Sequence, residues 1–547
     1  MRLRVPILLL LAAAPLCARP IPAAADRAIE AIRTDAIRAH VTFLADDLLE
    51  GRAAGTRGYD LAAAYVAAHF ERLGLEPAGD DGTWYQQVPF VRSALVPEKT
   101  SMVLHRPDGS SSTLVQYDDF IVQANPVATE AEVRAPVVFA GFGVHAPELG
   151  WDDYAGIDAR GKIVAVLSGA PSQFPSTRRA HFGSSSLKAE TAVRMGAVGL
   201  LRVRGPDAER RFGWERYRRH ARTPSLRWIG PDGQVGRAHP ELRAEARLSR
   251  SGAEALFDRA PHGLEEVFAL ESRSPEPLAF DLPVEASIRS ATTHERITSP
   301  NVAAILPGSD PELAAEVIVY TAHLDHVGIT APVDGDRINN GAFDNASGTS
   351  TLLEIARAFR SLPEPPRRAI LFLAVTAEEK GLLGSDYFAR YPTIDRDRLV
   401  ANVNMDMFVM AWPLHDVVLY GYEHSSLALP AGRAAEHLGL ARTGDPNPEE
   451  AIFVRSDQYS FVRQGIPAIY ISQGMDTGDP TVSGEEILAT WLRTRYHTPK
   501  DDLQQPIVWE MGRDLARYAF LAGYLAAEAD ERPRWNAGDF FGETFAR

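Results

Sequence analysis

Seven side chains in the second half of the chain combine imidazole and carboxylate groups at places where strands are expected to end. His323 and Asp325 follow the apolar run 317–322, and Asp344 stands in Asn340-Gly341-Ala342-Phe343-Asp344-Asn345-Ala346-Ser347-Gly348, just ahead of a helical stretch. Glu378 and Glu379 close the run 368–375, Asp406 follows 399–404, and His497 lies in Tyr496-His497-Thr498-Pro499. Imidazole with carboxylate is the donor set that suits zinc, and a pair of metals needs one carboxylate shared between them. Taken singly, each position has a plainer reading. His323 alone is a packed or surface histidine, Glu378-Glu379 a solvated helix start, and Asp344-Asn345 a helix N-cap. Their recurrence in one chain, each at a strand end or in a loop, favours a metal site over those readings.

These residues need elements to bring them together. From Ser299 onward, apolar runs at 301–306, 317–322, 368–375, 399–404 and 467–471 alternate with helical patterns at 347–359, 381–390, 425–438 and 509–527. Such alternation predicts an α/β unit with a mostly parallel or mixed central sheet flanked by helices. In sheets of this kind ligands bind beyond the carboxyl ends of the strands, where the seven residues lie. Residues 26–75 read as helical, interrupted by a glycine-containing loop over 49–56. Short β-type runs broken by Gly, Pro and Ser then fill about 126–282 and suggest a separate, mainly β insertion. The division expected is a leader over 1–25, a helical part of the catalytic unit over 26–125, an insertion over 126–285, the catalytic unit proper over 286–530, and a peripheral tail over 531–547.

Taken in chain order, His-x-Asp at 323–325, Gly-Ala-x-Asp-Asn-x-Ser-Gly at 341–348, Glu-Glu-x-Gly-Leu-x-Gly-Ser at 378–385, Asn-x-Asp at 404–406 and Tyr-His-Thr at 496–498 resemble metallopeptidase family twenty-eight. That family includes secreted bacterial aminopeptidases and glutamate carboxypeptidase, with glutaminyl cyclase and the transferrin receptor as relatives. The resemblance implies two zinc ions bridged by Asp344. His323 and Asp406 would complete one site, and Glu379 and His497 the other. Asp325 would orient His323, and Glu378 would be the general base toward a water activated at the metals. It also implies a cis peptide after Asp344. The activity implied is hydrolysis from the amino terminus of peptides or proteins. Carboxypeptidase or dipeptidase action, single-zinc glutaminyl cyclisation and a non-catalytic binding role are the alternatives.

Around this set, Ser456-Asp457-Gln458-Tyr459-Ser460-Phe461 and 465–468 resemble a segment near the family's substrate pocket, with Gln458 where relatives often carry His. Arg455 and Asp457 are open there as substrate contacts or surface residues. His326 reads as packing, and Arg52 either approaches the cleft or anchors its own loop. Trp151-Asp152-Asp153-Tyr154, 160–164 and 188–200 resemble a protease-associated domain, which implies an insertion bordering the cleft.

Composition narrows the rest. The chain has 547 residues, 45% of them hydrophobic and 24% charged, enough apolar material for more than one packed unit. Arg2 and Arg4 precede an apolar run at 5–16 that is too short to span a bilayer, and Ala23-Ala24-Ala25 supply a small-residue processing pattern. A leader ending near Asp26, and export to the periplasm or the extracellular space, are therefore expected. Leu16 before Cys17 is large for lipoprotein processing, and Cys17 is the only cysteine, so the processed chain would hold no disulfide. The net charge of −15 becomes −18 once Arg2, Arg4 and Arg19 are removed, which argues against nucleic acid as a partner. No later stretch offers about 18 consecutive apolar residues, so no membrane span is expected.

Overall fold

Apolar runs without polar interruption need cover on both faces, and helices supply it here on either side of one sheet. The computed structural model describes residues 20–211, 213–271 and 276–546. Most of the expected leader therefore lies outside the described residues. Helix α1 (Ala23–Ala31) begins ahead of the processing point expected near Asp26, and its Ala25 is buried. Helices α2 (Thr34–Leu44) and α3 (Arg57–Arg72) follow. Each buries a face spaced at three to four residues: Ile37, Val41 and Leu44 on α2, and Tyr59, Ala62, Val66 and Phe70 on α3. Among the described residues no helix is long and apolar enough to cross a membrane.

Strand β1 (Tyr85–Leu95) leads into a second unit. Its centre is four strands: β2 (Glu130–Ala140), β3 (Ile163–Leu167), β4 (Gly199–Val203) and β5 (Ala244–Leu248). Neighbours in that order run parallel, so the unit alternates strands with short helices such as α4 (Ser176–Gly183), where the sequence suggested mainly β structure. Its core also takes in Met102, Leu104, Phe120 and Val122. Those residues precede the boundary expected at 126. Their short alternating strands bury one face here, where the sequence reading expected a helical part of the neighbouring unit.

The two units share one strand. β6 (Ala279–Leu306) is 28 residues long. Its first half pairs antiparallel with β2, its middle with β1, and its end with β8 (Ala369–Val375). β8, β7 (Val317–His323), β9 (Leu399–Met405) and β11 (Ala468–Gln473) then lie side by side in parallel, and β10 (Asp416–Tyr420) closes on β11 antiparallel. All residues of β7 and β8 are buried. Helices α5 (Ser347–Ser361) and α6 (Trp509–Ala527) pack with α1 to α3 on one face. Phe388, Phe461 and Ile466 cover the other.

The carboxyl-terminal tail is not peripheral. Helix α7 (Phe540–Phe545) buries Phe541 completely, Trp535 Nε1 donates to Gly465 O at 2.9 Å, and Phe540 packs against His181 and Phe182 of α4. His181 Nδ1 meets the Tyr459 hydroxyl at 2.8 Å, so this contact joins the unit built on β2 to β5 to the one built on β7 to β11. Burial lowers the His181 pKa from 6.5 to about 4. Below pH 6.5 the unfolded chain binds a proton that the folded one refuses, so this group's contribution is lost as pH falls from 6.5 toward 4. His181→Phe is expected to flatten the drop in thermal midpoint over that interval. An unchanged slope would remove His181 from the account.

Candidate metal centre

β7, β8 and β9 end beside one another, and the segments leaving them face a common space. His323 is the last residue of β7, and Asp406 comes directly after β9. Glu378 and Glu379 follow β8 in a turn in which Ala377 adopts a φ of 53°. Asp344 sits in the irregular turn Ala342–Ala346 before α5, and its peptide to Asn345 is cis. His497 enters from the loop after the helix Gly484–Thr494.

Asp344 divides its two oxygens. Oδ1 is 3.3 Å from His323 Nε2, which is itself 2.9 Å from Asp406 Oδ1. Oδ2 is 3.1 Å from His497 Nε2, which is 3.0 Å from Glu379 Oε2. One carboxylate thus faces two donor sets. Asp344 Oδ2 and His497 Nε2 are both buried, yet neither has a partner in hydrogen-bonding geometry. Polar atoms that converge this closely without bonding one another fit a cation between them. His323, Asp344 and Asp406 are close enough together to hold one ion, and so are His326, Asp344 and Glu379.

Charge in the cluster follows from this convergence. Burial alone would lower His497, but Glu379 and Asp344 carry it up to about 10. His323 is likewise held well above the usual imidazole range against its burial, chiefly by Asp406 and Glu378. Burial works to raise Asp344, yet the imidazoles of His323 and His497 beside it hold it well below the usual carboxylate range. Glu379 falls to about 2 against its burial, with His497 the main cause. The imidazoles supply the positive charge that these carboxylates require, and a divalent cation would compete with those protons for the same atoms.

Residues 301–521, the span that carries all seven residues, match the family described as "Peptidase family M28". The likeness to peptidase family M28 is carried by that span. It is 31% identical over 223 residues to "Aminopeptidase YwaD" of Bacillus subtilis, a match covering 39% of this chain and 43% of that one. It is 29% identical over 240 residues to "probable leucine aminopeptidase 2" of Aspergillus oryzae, covering 41% and 43%. The chain thus spans under half the length of these curated relatives. Among solved structures, "Aminopeptidase from Aneurinibacillus sp. strain AM-1" superposes with a TM-score of 0.54 at 19% identity, covering 94% of this chain and 100% of that one, which is a likeness of fold.

Within this M28 framework several contacts differ from what the motifs suggest. The contact expected from the Asp325 side chain to His323 comes from the Asp325 main-chain oxygen, 3.1 Å from Nδ1, while the carboxylate is 4.0 Å away. That carboxylate instead accepts from the backbone N–H groups of Glu378 and Glu379 at 3.0 and 3.3 Å. His326, read as packing, places Nδ1 2.8 Å from Glu379 Oε1 and 3.8 Å from Asp344 Oδ2. Asp457 is fully buried and pushed up to about 6 by that burial, so it is not a surface residue, whereas Arg455 is exposed and pairs with Glu450.

Three supports escaped the sequence reading. Asp501 accepts from the N–H groups of Phe343 and Asp344, each at 3.0 Å by its nearer oxygen. Asn345 Oδ1 accepts from Gly348 N and Met407 N at 2.9 and 3.0 Å, tying the Asp344 turn to the segment after Asp406. Ser456 donates to Asp406 Oδ2 at 2.6 Å. Nothing in the sequence separates Asp501 from Asp502; only the fold buries the first completely.

Proposed function

We propose that this chain is an exported aminopeptidase that uses two zinc ions, one held by His323, Asp344 and Asp406 and the other by Asp344, Glu379 and His497. The observation that carries the reading is the split of the Asp344 carboxylate, one oxygen toward each donor set. The relatives' names support the choice of aminopeptidase. The basic and apolar residues ahead of Pro20 support export and lie outside the described residues. Zinc in these sets would lower the pKa of a water and polarise the scissile carbonyl. Glu378 stands beside the sets and belongs to neither. It takes the attacking water's proton onto its carboxylate and returns it to the leaving amine. Asp325 fixes Glu378 through the backbone, and Ser456 with the Tyr470 hydroxyl, 2.9 Å from Asp406 O, orients Asp406.

A second reading has its own observation. A cavity of about 480 Å³ between the inserted unit and the catalytic unit is lined by four arginines, Arg179, Arg237, Arg455 and Arg463, against three carboxylates, Asp207, Glu271 and Glu450. Guanidinium groups gathered there suit a substrate carboxylate, as in a dipeptidase or carboxypeptidase.

The purified protein is expected to release amino-terminal residues from unblocked aminoacyl chromogenic substrates, to stop on chelation and to resume with zinc. Elemental analysis should find two zinc ions per chain. Release from the carboxyl end of amino-blocked peptides, or a strict need for a free carboxylate next to the cleaved residue, would favour the second reading. One zinc per chain would favour glutaminyl cyclisation. Absence of hydrolysis with zinc restored would favour a binding protein.

A further inference from the structure

We infer that Arg52 is a positioning residue of the metal centre, its guanidinium tying the loop after His323 to the loop before Asp344 so that the two donor sets form at their proper separation. The inference rests on the metal reading proposed above.

Arg52 comes from a turn between α2 and α3, far from the ligands in sequence, and is 1% exposed. Its Nε donates to Leu324 O at 3.1 Å, between His323 and Asp325. Nη1 donates to Asn340 O at 2.6 Å and Nη2 to Gly341 O at 3.0 Å, just before Asp344. Nη1 also donates to Leu44 O at the end of α2, and His326 N donates back to Arg52 O at 3.2 Å. One side chain therefore satisfies carbonyls from three segments, two of which carry ligands. A planar fork with five N–H donors can do this, whereas lysine offers donors from a single atom. The approach is close enough to require glycine next door. Gly51 has a φ of +70°, and a Cβ there would lie 2.4 Å from Asn339 O.

Asp501 complements the arrangement. It takes the N–H groups on the downstream side of the same turn while Arg52 takes the carbonyls upstream, so Asp344 is gripped from both sides. Arg52 also brings a buried positive charge to the side of the site where Asp501, Asp344, Asp325 and Glu379 act on it.

The test uses the whole protein with Arg52→Met, Arg52→Lys and, as a control, Arg368→Met. Arg368 is equally buried and donates to Ala526, Ala527 and Ala529 carbonyls at the opposite end of β8, away from the ligands. Both methionine variants should lower the thermal midpoint. In chelator competition, Arg52→Met should bind zinc about 10–100-fold more weakly than wild type while Arg368→Met stays within about twofold. Arg52→Lys should recover part of the loss, with the same order in kcat. Equal zinc affinities for the two methionine variants would overturn the inference. Should Arg52→Met not fold, wild-type zinc affinity in Arg52→Lys would overturn it. A wild type that takes up no zinc would instead overturn the metal reading beneath it.

Discussion

Glu378→Gln is expected to lower kcat by about 10²–10⁴-fold, the range assigned to a positioned general base, while zinc content and KM stay near those of wild type. The amide keeps the shape of the side chain and its place on the turn, because the anchoring bonds run from backbone N–H to Asp325 and not from the side chain. What it loses is the ability to accept a proton. Zinc should stay because Glu378 belongs to neither of the ligand groups built on Asp344. Without cations, burial pushes Glu378 well above the usual carboxylate range, reinforced by the charges of Asp406, Glu379 and Asp457. Divalent cations beside it would reverse that effect and leave it able to take a proton near neutral pH. Steady-state rates with elemental analysis check this. A Gln variant retaining more than about a tenth of wild-type kcat would exclude Glu378 as the base.

The same turn illustrates how far the sequence could be read. β7 and β8 were legible because strands buried on both faces are written as unbroken apolar runs, and both are buried throughout. β6 was legible only at its end. Over 282–288 burial alternates, as befits a strand covered on one face, whereas 299–304 is buried at every position. A single strand crossing from one sheet environment to another changes its pattern midway, so only the second part reads as a core strand. At the site, the candidate residue types and their chain order were visible, since each motif is local. The roles of Arg52 and His326 were not, because they depend on partners far away in sequence. Arg52 reaches Asn340 across 288 positions, and His326 meets Glu379 across 53. Asp325 lies beside His323, but the sequence could not tell which of its oxygens faces the imidazole.

The second large effect is expected at Asp344. Removing its carboxylate in Asp344→Ala deletes an oxygen from both donor sets at once, so zinc content should fall well below wild type and hydrolysis should drop below detection. The loss is expected to be several kcal/mol of transition-state stabilisation, about a thousandfold or more in rate at roughly 1.4 kcal/mol per tenfold. A ligand belonging to one set only, such as Asp406, should cost less zinc when replaced. The chelated protein offers an independent check. His497 is raised from 6.5 to about 10 there, so its contribution to stability is fully present below pH 6.5 and is lost as pH rises through 10. Glu379 falls from 4.5 to about 2, so its contribution is present above pH 4.5 and is lost as pH falls through 2. Between 4.5 and 6.5 both are charged, and Asp344 is one of the two carboxylates that hold the proton on His497. The chelated Asp344→Ala protein should therefore differ most from chelated wild type in thermal midpoint within that window, and the difference should shrink above pH 10 as His497 loses its proton. A variant that keeps wild-type zinc content would show that the two donor sets do not share this carboxylate.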